Sequence, residues 1–488
     1  MSLCWREKTT IFSIIRAKAS FPGFQHKSAP FTYPISAFKT MKTSSQDLVF
    51  WRDLTPLPYP LQKPSTFSPR ILIVGGGVTC LVTAWTLLDQ GFHVTVIAKE
   101  YASYGKSQRL TSQIAGALWE YPPAVCGQHT DAISLKHSKR WCMTAYHIWD
   151  EIAGSEGLAE ASGVRMKCSD FFFPVPVEQD PAQLSKMNEI MASGIRGFAR
   201  GRSIIDKRDV NKSYGVVDAY EHLAPIIDTD QCMSFLQQLV VSKGADLHKT
   251  TISGDLFDQE DELLAEYGAD AIVNATGLAG TELAGDDSCY PIRGGLIRVI
   301  NDGIDFPKVE SAMTITADAV HDSSEIVFIV PRNDNILLIG GIAESHEYDL
   351  THTLDTPILK RMRARCEAFL PALKNARVDP EYPIAQGLRP FRQNNVRVER
   401  ELREHENDTV SGKASRPSRI VHSYGQGGAG WSLSFGCAGD VAVLVKQALL
   451  GLPAAPMGKA MMEPFAGEAS CPGVGWSGEK KSWARARL

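Results

Sequence analysis

The stretch ILIVGGGVTCL, residues 71–81, decides the fold because an apolar run leads directly into a glycine-rich turn. Gly75 and Gly77 match the first two glycines of the G-x-G-x-x-G turn, which places a helix N-terminus against a pyrophosphate. Cys80 stands at the third position, which serves helix–strand packing, and a small apolar side chain is tolerated there. The phosphate-binding half of the motif is therefore present.

The flanking residues supply the context that this turn needs. Residues 81–88 continue at helical spacing, and the β-branched run HVTVIA follows at 93–98, which completes a strand–turn–helix–strand unit. Glu100 lies 25 residues after Gly75, where an acid binds ribose hydroxyls, and Lys99 beside it is expected to contact a phosphate. We therefore predict an α/β fold with a Rossmann-like, doubly wound parallel sheet.

A second glycine-rich turn, GQGGAG at residues 425–430, lies between a predicted strand at 420–424 and a predicted helix at 431–449. Each turn offers free backbone N–H groups at a positive helix end. One suits a pyrophosphate, and the other suits a second electron-rich group such as the pyrimidine edge of a reduced flavin. The remaining pattern predicts helices at 131–153, 229–244 and 354–370, strands at 270–274, 293–300, 326–330 and 336–338, and a surface loop at 402–416.

Composition excludes several classes of protein. The 488 residues are 44% hydrophobic and 22% charged with a net charge of −4, which is typical of a globular protein and gives no field that favours nucleic acid. The chain contains no run of 18 apolar residues, so no membrane span is predicted. The ten cysteines form no C-x-x-C pair, so we expect a reduced intracellular protein without a metal site.

The two ends are expected to lie outside the fold. Residues 1–69 are predicted to be a disordered or targeting extension, and residues 451–488 a flexible tail that is rich in Gly and Pro from Gly451 to Gly478. The terminal Ala486, Arg487 and Leu488 resemble a peroxisomal address. We expect a peroxisomal protein, with the cytoplasm and the mitochondrion as alternatives.

Several stretches, in this order, resemble the D-amino-acid oxidase family of FAD-dependent oxidoreductases, in its fungal branch. They cover roughly residues 70–450 and are ILIVGGGVTCL, AGALWEYP (115–122), GADAIVNATGL (268–278), PIRGGLIRV (291–299), FIVP (328–331), IGG (339–341), GLRPFR (387–392), VRVERE (396–401) and HSYGQGGAGWS (422–432). The pair GLRPFR and VRVERE, followed by the second glycine turn, is the specific part of the match.

The resemblance implies non-covalent FAD and two domains. The FAD domain would comprise residues 70–125, 225–290 and 385–450, and the substrate domain, on a mixed antiparallel sheet, residues 126–224 and 291–384. The implied reaction passes hydride from the amine-bearing carbon of a D-amino acid or related amine to flavin N5. Dioxygen is then reduced to hydrogen peroxide, and the imine hydrolyses to a 2-oxo acid. We expect no nucleic-acid or membrane partner, and a homodimer is left open.

The resemblance also assigns site residues. Arg389 matches the arginine that binds the substrate carboxylate, and Gly428 the glycine whose carbonyl accepts from the substrate amine. The stretch Thr111, Ser112 and Gln113 resembles the family's small hydroxyl residues that contact phosphate. The expected cofactor-binding residues are Gly75, Gly77, Val78, Lys99, Glu100, Ser112, Ala115, Gly116, Thr276, Gly277, Gly427, Gly430, Trp431 and Ser432.

Two residues of the expected catalytic site depart from the family pattern. Phe328 stands where the family has a tyrosine that helps to hold the carboxylate, and no second tyrosine is evident near residues 321–325. Glu120 replaces a neutral side chain near the substrate amine, so we expect it either to bind the ammonium group, to accept its proton or to contact a basic side chain, unless it faces solvent.

These departures leave other functions open. Phe328 favours a biosynthetic tailoring flavoenzyme that acts on a larger amine without a free carboxylate. A D-aspartate oxidase would need a second cation, which Glu120 opposes by like-charge repulsion. A flavin-binding protein without turnover is a further alternative, against which Arg389 and the two glycine turns argue. No second nucleotide fingerprint supports an NADPH-dependent monooxygenase.

Overall fold

A parallel sheet forms around the first glycine turn in the computed structural model, which describes residues 49–123, 131–315, 326–409 and 412–457. Six strands lie in the order β14-β17-β7-β1-β2-β6, and only β14 is antiparallel to its neighbour. They are β1 (Arg70–Val74), β2 (His93–Ala98), β6 (Asp246–Lys249), β7 (Ala271–Asn274), β14 (Arg397–Arg400) and β17 (Ile420–Tyr424). Parallel strands expose their carboxyl ends at one edge of the sheet, which is where ligands bind in such folds.

Helices cover both faces of this sheet, as a doubly wound fold requires. Helix α1 (Val78–Asp89) follows the first glycine turn, and α11 (Gly430–Leu449) follows the second and packs against α1. The opposite face buries Leu72 and Ile272 against Leu263, which lies on α8 (Glu260–Tyr267). The predicted α/β fold is confirmed.

The second sheet has nine strands and is mixed. Its order is β12-β8-β11-β10-β9-β3-β5-β4 with β13 also paired to β8, and the β3–β9 pair alone is parallel. The strands are β3 (Val164–Phe173), β4 (Ala199–Arg200), β5 (Asp218–Ile227), β8 (Cys289–Ile300), β9 (Ala312–Ile315), β10 (Val327–Pro331), β11 (Ile336–Gly340), β12 (Glu344–Ser345) and β13 (Ile384–Arg392).

Further helices connect and cover these strands. They are α2 (Thr111–Ile114), α3 (Ala132–Gly154), α4 (Glu156–Ser162), α5 (Pro181–Ala192), α6 (Ser203–Lys207), α7 (Thr229–Ser242), α9 (Gly280–Leu283) and α10 (Pro357–Phe369). Helix α10 buries Leu359, Met362 and Phe369 in one apolar cluster with Ile297 and Ile339 of the nine-stranded sheet. The predicted helices and strands are found with shifts of a few residues at their ends.

The prediction of a surface loop at 402–416 is wrong, because this stretch forms a hairpin of β15 (Glu404–Thr409) and β16 (Gly412–Pro417). The polar composition gave no sign of strands. Charged contacts tie the hairpin to α8: His405 Nε2 lies 3.0 Å from Glu260 Oε2, and Arg416 lies 2.9 Å from Asp261.

The prediction of a disordered N-terminal extension is wrong for residues 49–69. Phe50 and Leu54 are buried, and the backbone N–H of Thr55 donates to the Asp89 carboxylate at 2.8 Å. Lys243 pairs with the same carboxylate at 2.6 Å, so this segment is held by a buried ion pair. Residues 1–48 and 458–488, which include the expected targeting signals, lie outside the described residues.

Candidate functional site

A cavity of about 780 Å³ opens at the carboxyl ends of the parallel strands. Its walls come from the residues that directly follow β1, β2, β6, β7 and β17, together with residues of β8 and β13 from the mixed sheet. Ligand sites in proteins commonly measure about 300–1,000 Å³, so this cavity has the size of a ligand site. The chain therefore brings both glycine turns to one site.

The first glycine turn forms a cradle that side chains would fill. Gly75 has φ +137° and packs so closely on the Ala275 carbonyl that a Cβ would overlap it. A Cβ on Gly77 would lie 2.9 Å from Ser112 Oγ. That oxygen accepts the backbone N–H of Val78 at 3.0 Å, so Ser112 holds the start of α1. The arrangement keeps backbone N–H groups and a positive helix end at the cavity wall.

The second glycine turn is anchored to the mixed sheet. The backbone N–H of Gly427, at φ +58°, donates to the Pro390 carbonyl at 2.9 Å, and Gly428 is exposed at the cavity wall. Trp431 Nε1 donates to the Ser112 carbonyl at 2.9 Å. Because Ser112 also contacts α1, the two glycine turns are held in a fixed relation.

Arg389 reaches the cavity from the mixed sheet. It lies on β13, and its guanidinium crosses Gly294 of β8 so closely that a Cβ there would lie 2.5 Å from Arg389 Cζ. Its Nη1 donates to the Ile342 carbonyl at 3.1 Å. A guanidinium has five N–H donors, and this bond to a carbonyl uses one of them while fixing the direction of the group.

Phe328 stands directly behind the cavity wall. Its ring packs against Gly116, which lines the cavity, and a Cβ on Gly116 would overlap the ring. Leu118, Ile226 and Val330 surround the same ring in an apolar cluster. Phe328 therefore makes this part of the wall apolar. Residues 321–325, where the second tyrosine was sought, lie outside the described residues.

Glu120 is not among the residues that line this cavity. Its carboxylate accepts from Lys186 Nζ of α5 at 2.7 Å, and the two side chains are 16% and 3% exposed. Of the expected contacts of Glu120, the structure shows the one with a basic side chain. Sequence reasoning had no means to find Lys186, which is 66 residues away.

The structure brings together most of the residues expected at the cofactor. Those that line the cavity are Gly75, Gly77, Val78, Lys99, Glu100, Ser112, Ala115, Gly116, Thr276, Gly277, Gly427, Gly430 and Trp431, with Thr111, Arg389 and Gly428. Ser432 is buried in α11 and is not part of the lining, and neither is Gln113, whose side chain bonds Ser103 and Asp230. The cavity is also lined by residues 250–253, Leu278 and Glu282, for which the sequence gave no signal.

The cavity suits FAD by its shape and by its donors. The cradle at Gly75 and Gly77 admits a group that approaches the backbone closely, and the helix end beside it favours an anion such as a pyrophosphate. The second turn lies beside the first and supplies a further set of backbone groups to the cavity wall. Glu100 offers carboxylate oxygens, which accept from ribose hydroxyls.

Among the helices of the described residues, none has the length and apolar character of a membrane span.

Comparisons with known proteins agree with this fold and site. The profile of the family described as FAD dependent oxidoreductase (DAO) matches residues 70–444. A D-amino-acid oxidase of Streptomyces coelicolor is 29% identical over 375 residues, which cover 77% of this chain and 96% of that protein. A D-amino-acid oxidase of Dictyostelium discoideum is 28% identical over 385 residues, covering 78% of this chain and 92% of that protein.

Solved structures show the same fold. Glycine oxidase of Bacillus cereus aligns with a TM-score of 0.56 at 17% identity, over 80% of this chain and 99% of that one. The FAD-bound L-alpha-glycerophosphate oxidase of Mycoplasma pneumoniae aligns with a TM-score of 0.55 at 15% identity, over 80% and 97% of the two chains. The fold and site define an FAD-dependent oxidoreductase. The chain belongs to the FAD dependent oxidoreductase (DAO) family.

Proposed function

We propose that this enzyme oxidises the amine-bearing carbon of a D-amino acid. The amino acid, dioxygen and water give a 2-oxo acid, ammonia and hydrogen peroxide, because the imine formed by loss of two electrons and two protons hydrolyses. FAD, when bound, supplies the electron acceptor that oxygen restores. The observation that carries the proposal is the Arg389 guanidinium, which the mixed sheet presents to the same cavity as both glycine turns.

The proposed roles of the substrate-binding residues follow from their chemistry. Arg389 binds the carboxylate of the amino acid through two parallel N–H···O bonds and so fixes the orientation of the adjacent carbon. The carbonyl of Gly428 accepts from the substrate amine. Phe328, packed behind Gly116, makes the wall apolar there and offers no hydroxyl donor.

The proposed cofactor contacts divide between the two turns. The pyrophosphate is bound by Gly75, Gly77, Val78, Lys99 and Ser112. A ribose is bound by Glu100. The middle of the cofactor lies against Ala115, Gly116, Thr276 and Gly277. The flavin lies by Gly427, Gly430 and Trp431, while Ser432 is buried in α11 behind them. We assign Glu120 to the support of Lys186 and α5 because its carboxylate already holds that ammonium group.

Steady-state turnover tests the proposal. Purified holoenzyme should release hydrogen peroxide and a 2-oxo acid in a 1:1 ratio with neutral D-amino acids and should not do so with their L-enantiomers. If D-amino acids are inert but larger amines without a carboxylate yield peroxide, the biosynthetic alternative replaces the proposal. The apolar ring of Phe328 behind the wall is the observation that favours that alternative.

The cellular setting and the domain division are also proposals. The peroxide product and the terminal residues Ala486, Arg487 and Leu488 support a peroxisomal location. A fluorescent protein that carries the native C-terminus should enter peroxisomes, and deletion of those three residues should leave it in the cytosol. We also propose the FAD and substrate domains with the boundaries given above, and a homodimer, which sedimentation of the holoenzyme would test.

A further inference from the structure

A row of hydrogen-bonded polar side chains runs from the interior of the parallel sheet to the cavity wall. Glu401 follows β14, His422 lies on β17, Asn274 ends β7, and Thr276 lines the cavity. His422 and Asn274 are opposite each other in the parallel register of β17 and β7. The His422 and Asn274 residues are fully buried, and Glu401 is 3% exposed. Within the row, only Thr276 reaches the cavity.

The backbone sets the direction of these hydrogen bonds. Asn274 Oδ1 accepts the backbone N–H of Thr276 at 3.3 Å, and since that N–H is only a donor, the amide oxygen must face Thr276. The amide nitrogen therefore faces His422 Nδ1, at 3.3 Å, and donates to it. Because Nδ1 accepts, the ring proton lies on Nε2, which donates to Glu401 Oε2 at 3.1 Å.

The ionisation of the inner groups agrees with this direction. Burial lowers the pKa of His422, which favours the neutral ring that the bond from Asn274 to Nδ1 requires. Burial opposes ionisation of Glu401, but hydrogen bonds from His422 and Arg403 outweigh it and hold the pKa of the carboxyl well below its usual range. An ionised carboxylate only accepts, and a neutral imidazole donates from one nitrogen and accepts at the other.

The hydroxyl at the end of the row is consequently oriented. Thr276 Oγ1 lies 2.7 Å from Asn274 Oδ1, and the amide oxygen only accepts, so the hydroxyl proton points away from the cavity toward Asn274. The oxygen of Thr276 retains its lone pairs and has no second proton. A ligand that bonds this oxygen must therefore bring a donor.

We propose that Glu401, His422 and Asn274 are positioning residues that make Thr276 an obligate hydrogen-bond acceptor, which recognises a hydroxyl or amino hydrogen of FAD. A phosphate oxygen would be repelled by this lone pair, because both are acceptors. The phosphates are therefore favoured at the N–H donors of the first glycine turn. The row thus distinguishes the hydroxyl-bearing parts of the cofactor from its charged part.

Titration of apoprotein with FAD, followed by flavin fluorescence, tests the coupling along the row. Thr276→Val and His422→Leu should each raise the Kd about tenfold, as expected for one net hydrogen bond. The double variant should be no weaker than either single variant, because both remove the same interaction. His422→Gln should bind nearly as well as the native protein, because a glutamine amide supplies both an acceptor and a donor. Native affinity in His422→Leu, or additive losses, would overturn the proposal.

Nitrogen-15 NMR of histidine-labelled holoenzyme gives a readout that needs no destabilised variant. The signals that disappear in His422→Gln should show a protonated Nε2 and an unprotonated, pyridine-like Nδ1 across neutral pH. A protonated Nδ1 would overturn the proposal, since Asn274 could then not donate to it. Neither experiment uses a substrate, so their outcome is separate from the outcome of the turnover assay.

Discussion

Replacement of Arg389 by leucine should remove carboxylate binding while leaving FAD in place. The guanidinium lines the cavity from β13, and its Nη1 donates to the carbonyl of Ile342. Two charge-assisted hydrogen bonds to a carboxylate contribute about 1.5–3 kcal/mol each, so the loss is about 3–6 kcal/mol. At 1.4 kcal/mol for each factor of ten, the Kd should rise about 10²- to 10⁴-fold.

The assay is a titration of oxidised holoenzyme with a 2-oxo acid, followed by the change in the visible band of the flavin. Arg389→Lys keeps the charge but loses the planar fork, so it should fall between the native protein and Arg389→Leu. Arg377→Leu is the matched control, because Arg377 is half exposed, pairs with Asp302 and Asp305 and does not line the cavity. Native affinity in Arg389→Leu would refute the assigned role of Arg389.

Three further predictions concern packing and buried charge. Gly116→Ala should destabilise the protein by about 1–3 kcal/mol and weaken FAD binding, because the added Cβ overlaps the Phe328 ring. Chemical unfolding measures the loss of stability, and FAD titration measures the loss of binding. Lys186→Met should lower the free energy of unfolding by about 3–5 kcal/mol because it strands Glu120, and adding Glu120→Gln should recover most of it in the same urea assay. Burial lowers the pKa of His222 from 6.5 to about 4, so between these pH values the unfolded chain binds a proton that the folded protein does not. The free energy of unfolding should therefore fall as the pH drops below about 6.5, by about 3 kcal/mol at pH 4. His222→Gln should lose that part of the acid sensitivity, and an unchanged pH dependence of the urea midpoint would contradict it.

Local signals in the sequence were sufficient to predict the two glycine turns and the strands that lead into them. The apolar run of β1 and the spacing of Gly75 and Gly77 report directly on a buried strand and on a turn that admits no side chain. The same holds for β17 and its glycine turn. These features depend on residues close together in the chain, which is why they can be predicted.

Features that depend on distant or polar residues could not be predicted in this way. Strand β6 reads DLHK and is mostly exposed, so it shows no apolar alternation, and the cavity residues 250–253 that follow it were missed with it. The hairpin of β15 and β16 was missed for the same reason. The contact of Glu120 with Lys186, and that of Asn274 with His422, join residues 66 and 148 positions apart.

Anaerobic mixing of the holoenzyme with D- and L-amino acids, followed by the visible band of the flavin, tests the central claim most directly. Neutral D-amino acids should bleach the band, the L-enantiomers should leave it unchanged, and Arg389→Leu should suppress the bleaching. Bound flavin that no D-amino acid reduces, while a larger amine without a carboxylate does, would contradict the claim.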